Sequence, residues 1–143
     1  MTSDARRLTA LRERTGRSSH EIASLAGLED MEYFDLEFHD DELRTVPSLA
    51  QIKRLADVFD VPTAALFFDE PSAPLRRVPY AELLSLVRAE LAGGISKERF
   101  EEDIGWELDA FLESEERALS DYGAEFLEAL CLRLGIDWVA ALP

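Results

Sequence analysis

Few residues in this 143-residue chain have the type and spacing that covalent or metal chemistry needs. Its two histidines, His20 and His39, fall in different predicted elements, and neither has a cysteine or carboxylate at zinc-ligand spacing. Asp40, Asp41 and Glu42 lack the glycine and the alternating ligand positions of a calcium loop. Gly93-Gly94 reads as a helix stop rather than a phosphate cradle, and there is no nucleophile elbow. Cys131 falls on the apolar stripe of its helix, where a small buried thiol is expected. We therefore expect no enzyme: no catalytic residue, no metal and no cofactor. What remains is contact chemistry. Arg6, Arg7, Arg12, Arg14 and Arg17 bring five positive charges to the start of the chain, a candidate phosphate grip. From Glu29 to Glu42 there are eight acids and no base, and Met31, Phe34 and Phe38 recur among them at spacings of three and four.

Composition narrows the partners. Thirty acidic against fifteen basic residues give a formal charge of −15 and a pI near 4.4. Such a balance opposes backbone-driven nucleic-acid binding, which relies on clustered Lys and Arg to neutralise phosphates. A hydrophobic share of 47% is enough to fill a core, and the length suits one ordinary domain or two very small ones. No apolar run approaches the roughly 18 residues of a membrane span. The first residues, MTSDARRL, carry no apolar signal core, and one cysteine staples nothing, so a cytoplasmic setting is expected.

The elements that must position these side chains are helical throughout, since no stretch shows sustained strand alternation. Asp4 is placed to cap a first helix ended by Gly16. Ser18 and Glu21 form a capping-box pattern for a second, with Ile22, Leu25 and Ala26 inward and Gly27 as its stop. A third begins near Glu29, with Asp40 to Glu42 as an acidic loop after it. Pro47 sits where a fourth begins, and Pro62 opens a short fifth. Residues 69–79 hold Pro71, Pro74 and Pro79 and read as a linker between a domain at 1–68 and a second at 80–143. Beyond it the punctuation repeats. Gly16 and Gly27 answer to Gly94 and Gly105 at an offset of 78, pairing Leu8 with Leu86 and Ile22 with Phe100. At an offset of 75, Ile52, Leu55 and Phe59 answer to Leu127, Leu130 and Leu134. We expect ten short helices in two sets of five, the second set a degenerate repeat or a dimerisation domain.

Leu11, Gly16, Ser18, Glu21, Ile22, Ala23, Ala26, Gly27, Tyr33, Leu36 and Glu37, followed by Pro47, Ser48, Leu49, Ile52, Leu55, Ala56, Val61, Leu66 and Phe67, carry a resemblance. Residues 4–68 resemble a Cro/C1-type (XRE family) helix-turn-helix domain, and 82–142 resemble it more weakly. The resemblance implies an all-α protein of two tandem five-helix, lambda-repressor-like domains. It also implies that the third helix is the one that enters the DNA major groove in such proteins. The groove-facing positions are then Glu29, Asp30, Met31, Phe34, Asp35 and Phe38, and Ser19 stands where the family usually has a phosphate-contacting glutamine. Base reading relies on Arg, Lys, Asn and Gln, whereas these acids meet phosphates with like charge.

Met31, Phe34 and Phe38, flanked by Asp30 and Asp35, therefore read as a protein-binding anchor, or as a stripe covered by the second domain or by a dimer partner. The expectation is a bacterial regulatory protein, antitoxin-like, anti-repressor or adaptor in role, working by protein contact or self-association as a homodimer. DNA is disfavoured by charge. The alternative is a DNA-binding repressor gripping phosphate with Arg6, Arg7, Arg12, Arg14 and Arg17, and a third reading is an acidic decoy for a basic protein. Trp106 is expected in the core and Trp138 at an interface.

Overall fold

Serine and glycine punctuate the helices. In the computed structural model, which describes residues 2–73 and 76–143, helix α1 spans Asp4–Thr15. Its cap is Ser3, whose side chain accepts from the Arg6 amide, so Asp4 falls one position inside the helix, where it favours the macrodipole. Gly16 closes α1 in the left-handed conformation. Helix α2 (Ser19–Ala26) opens with the Ser18–Glu21 capping box and stops at left-handed Gly27. Helix α3 (Asp30–Phe38) follows, and then α4 (Glu42–Thr45), a single turn where an acidic loop was expected. Helix α5 (Leu49–Phe59) is capped by Ser48, which places buried Pro47 just before the cap, and it leads through Pro62 to a 3-10 turn, Thr63–Leu66.

The second half repeats this order with α6 (Tyr80–Ala92), α7 (Lys97–Ile104), α8 (Asp109–Glu113), α9 (Glu115–Asp121), α10 (Ala124–Leu134) and a 3-10 turn, Trp138–Ala141. The protein is all-α, with no strand among the described residues. Each half has six elements rather than five, because α4 and α9 each bury a single side chain, Leu43 and Ala118, and so carry no apolar stripe in the sequence. The bounds of α7 are those of α2 moved by 78 residues. Those of α10 and the second 3-10 turn are α5 and the first turn moved by 75. The three-residue difference falls where nine-residue α3 gives way to five-residue α8, which breaks at Ser114. One expected pairing fails. Leu8 is fully buried but Leu86 is 38% exposed, and Leu83 and Val87 take the inward positions of α6. Leu25 is likewise 53% exposed. The inward arc of α2 runs from Ile22 through Ala26 to Ala23, and Leu25 sits about a sixth of a turn outside it.

The halves meet reciprocally. Helix α5 packs on α9, and α10 packs on α4, so the short fourth helix of each half lies on the fifth of the other. Buried residues of both halves, from Tyr33 and Leu55 to Phe100 and Leu130, form one continuous core. Arg44 joins the halves by an ion pair with Glu128 (2.5 Å), and its guanidinium lies 5.5 Å from the Phe67 ring and 5.6 Å from that of Trp138. Trp138 meets Phe67 edge-on at 5.3 Å and is thus part of the seam, while Trp106 is half-buried with its ring edge-on to Phe126. Between the halves, buried Val78 donates its amide to the Ala140 carbonyl at 2.9 Å. Pro74, one of the three prolines that suggested a linker, lies outside the described residues.

Candidate interaction face on the third helix

Helix α3 sorts its side chains by period. Tyr33 and Leu36, three apart, face the core and are 0% and 1% exposed. Met31, Phe34 and Phe38 point away and are 67%, 44% and 66% exposed, so the second half leaves the stripe uncovered. Phe34 and Phe38 lie one turn apart and stack on each other, centroids 4.4 Å apart and planes 23° from parallel. Asp30, exposed, receives His20 Nδ1 at 2.9 Å, and Asp35 is half-buried. The Glu29 amide donates to the Glu32 carboxylate at 3.1 Å, which closes the start of the helix. His39 caps the far end and is exposed. No group of His, Cys, Asp or Glu among the described residues has the geometry to hold a metal ion.

The five arginines divide. Arg7 is only 8% exposed and its guanidinium makes four hydrogen bonds. Nη1 donates to Asp4 (2.7 Å) and to the Leu66 carbonyl (3.1 Å), Nε to Asp69 (3.0 Å) and Nη2 to the Thr2 carbonyl (2.7 Å). Arg12 forks onto Glu37, Nε to Oε2 at 2.7 Å and Nη2 to Oε1 at 3.0 Å. Thr9 adds a third hydrogen bond to the same carboxylate at 3.0 Å. Burial pushes the Glu37 carboxyl up, but the Arg12, Tyr33 and Thr9 side chains outweigh it and hold the group below the usual carboxylate range. The Tyr33 hydroxyl is buried beside this pair without a well-formed hydrogen bond, and burial together with the neighbouring Glu37 charge pushes its ionisation far up. Arg6, Arg14 and Arg17 are exposed and form no ion pair among the described residues. A phosphate grip is thus left with three of its five candidates.

The second half does not reproduce the face. Asp109, which answers to Met31, pairs with Lys97 at 2.5 Å. Leu112 is half-buried. Glu116 falls beyond the end of α8, in α9. Sequence reasoning missed Asp69 as the partner of Arg7, since nothing local links residues 62 positions apart. It also missed exposed Leu25 and Val46, which a burial pattern set only by the packed fold leaves in solvent.

No protein-family model, curated protein or solved structure matches this chain. The geometry of the face therefore carries the functional reading by itself. Among the described residues no helix is long and apolar enough to cross a membrane.

Proposed function

We propose that this chain is a regulatory protein on a Cro/C1-type helix-turn-helix scaffold, present in two tandem copies, that acts by protein contact through the outer face of α3. The observation that carries the reading is the exposure of Met31, Phe34 and Phe38 on the face such a scaffold would turn toward DNA. Supporting the scaffold are the α2–Gly27–α3 connection and the inward Ile22, Ala26, Tyr33 and Leu36, the pattern on which the resemblance rests. Burying one such phenylalanine against a partner is worth about 1.5–3 kcal/mol, and a stacked pair with a methionine beside it suits a contact hot spot.

Charge selects the occupant. Glu29, Asp30, Glu32 and Asp35 on and before α3 would face phosphates with like charge, and would do the same to a second copy of this face. A basic protein segment presenting apolar side chains meets both features. A homodimer would then use another surface of the chain.

The competing reading, a DNA-binding repressor, is favoured by exposed Arg6, Arg14 and Arg17. Titration against random and upstream-region DNA at about 50 mM salt separates the two, because phosphate contacts are strong there. We expect no saturable binding at micromolar protein. Binding with a steep salt slope, lost in the triple variant Arg6→Ala, Arg14→Ala, Arg17→Ala, overturns the protein-contact reading. In parallel, Phe34→Asp should keep the helical fold, abolish retention of a basic partner by the immobilised protein and leave any DNA binding as it was.

A further inference from the structure

A partly enclosed cavity of about 190 Å³ lies where the halves meet, between the start of α5, the start of α6, α9 and α10. Leu49, Leu83, Ala118, Leu119, Phe126 and Leu127 give it an apolar wall. Two of its polar side chains are already committed. The Tyr80 hydroxyl donates to the Phe111 carbonyl at 2.5 Å, and an Arg77 Nη2 proton goes to the Leu142 carbonyl. The charged side chains on its lining, Arg77 and Glu115, belong to exposed residues. A hollow of about 150 Å³ with Leu, Ile and Phe walls holds benzene, so this one has room for a ring of that size.

The corresponding corner of the first half is built differently. Seventy-five positions before Glu115, Leu119, Leu142 and Pro143 stand Asp40, Arg44, Phe67 and Phe68, which line a surface groove with Asp4 and Arg7. There the Arg7 guanidinium bridges Asp4 and Asp69, and Arg44 reaches Asp4 at 3.3 Å. Where one half has a charged, cross-linked corner, the other has apolar walls around unfilled space. Close packing is the rule in protein interiors, and a void of this size forfeits dispersion contacts on every side.

We propose that this cavity is a binding site for an uncharged apolar molecule of about the size of a single aromatic ring, whose occupancy braces α9 and α10 against α5. The site is independent of the α3 face. Benzene is the probe, read by thermal unfolding and by methyl NMR of the full chain. Benzene at a hundred times its Kd should raise Tm by roughly 9 °C, and Tm should go on rising with the logarithm of benzene concentration above Kd, as binding at one site requires. Methyl resonances of Leu83, Ala118, Leu119 and Leu127 should move, and those of Ile22 and Leu55 should not. Ala118→Leu fills the cavity, so this variant should lose the response. If it fails to fold, the methyl shifts of the wild type decide alone. An absent Tm shift, methyl shifts that do not saturate with benzene or that spread through the first-half core, or a folded Ala118→Leu protein that still responds overturns the proposal. Benzoate binding as tightly as benzene overturns the assignment of an uncharged ligand.

Discussion

The Leu49 amide donates to the Tyr122 carbonyl at 2.8 Å, tying the first residue of α5 to the segment that leads into α10. In the repeat, Leu49 answers to Ala124 and Pro47 to Tyr122, at the offset of 75. Segments 47–49 and 122–124 therefore lie against their own equivalents, as happens beside a two-fold axis. The reciprocal packing of α5 on α9 and of α10 on α4 extends from this point.

Gly123 is the closest approach in that seam. A Cβ built on it would stand 2.8 Å from the Pro47 carbonyl oxygen and 3.6 Å from that of Arg44. Its φ of −107° is open to any residue, so the cost of a side chain is steric and falls on backbone that cannot rotate away. Gly123→Ala should lower stability by about 1–3 kcal/mol, since the clash exceeds the roughly 0.4–1 kcal/mol usually gained by replacing glycine. Urea titration followed by circular dichroism measures it.

Arg7 should matter to stability far more than its arginine neighbours. Arg7→Ala leaves Asp4 with only the longer contact to Arg44 and the Leu66 and Thr2 carbonyls without a donor. A fully buried pair would cost about 3–5 kcal/mol to break, but the Asp69 side chain is 39% exposed, so about 2–3 kcal/mol is expected. Exposed Arg14→Ala should stay within about 0.5 kcal/mol of wild type. Equal losses in the two variants would remove the structural role assigned to Arg7.

The Arg12–Glu37 pair sets an acid limit. The folded Glu37 carboxyl titrates below its ordinary value of 4.5, so the folded state holds its charge more tightly than the unfolded chain does. The stabilisation is complete above pH 4.5 and is lost as pH falls through the lower, folded value. Glu37→Gln should be less stable than wild type at pH 7, and the gap should close on acidification. A gap that stays constant down to pH 3 contradicts the assignment.

Burial pushes the Cys131 thiol up to about 12, with the Asp137 charge adding to the effect. At pH 8 the native protein should react with a disulfide reagent only as fast as it opens, and completely once denatured in urea. Fast labelling of the native state would place the thiol at the surface.

The Ser18 and Ser96 caps, the stops at Gly16, Gly27, Gly105 and Gly135 and the offsets of 78 and 75 were legible in the sequence, because their causes are local. A serine oxygen reaches an amide three residues on, a glycine adopts the left-handed turn, and apolar side chains recur with the helical period. Met31, Phe34 and Phe38 could be placed opposite Tyr33 and Leu36 for the same reason. Whether the second half would cover them was not legible, since coverage depends on how distant helices pack. The tertiary structure also decided that Arg7 turns inward to Asp69, that Leu86 yields its inward place to Val87, that α4 and α9 form at all, and that the halves cross reciprocally around Gly123. Each of these rests on contacts between residues far apart in the chain. Their partners are brought near only when burial of the shared core outweighs the entropy of closing the intervening loops.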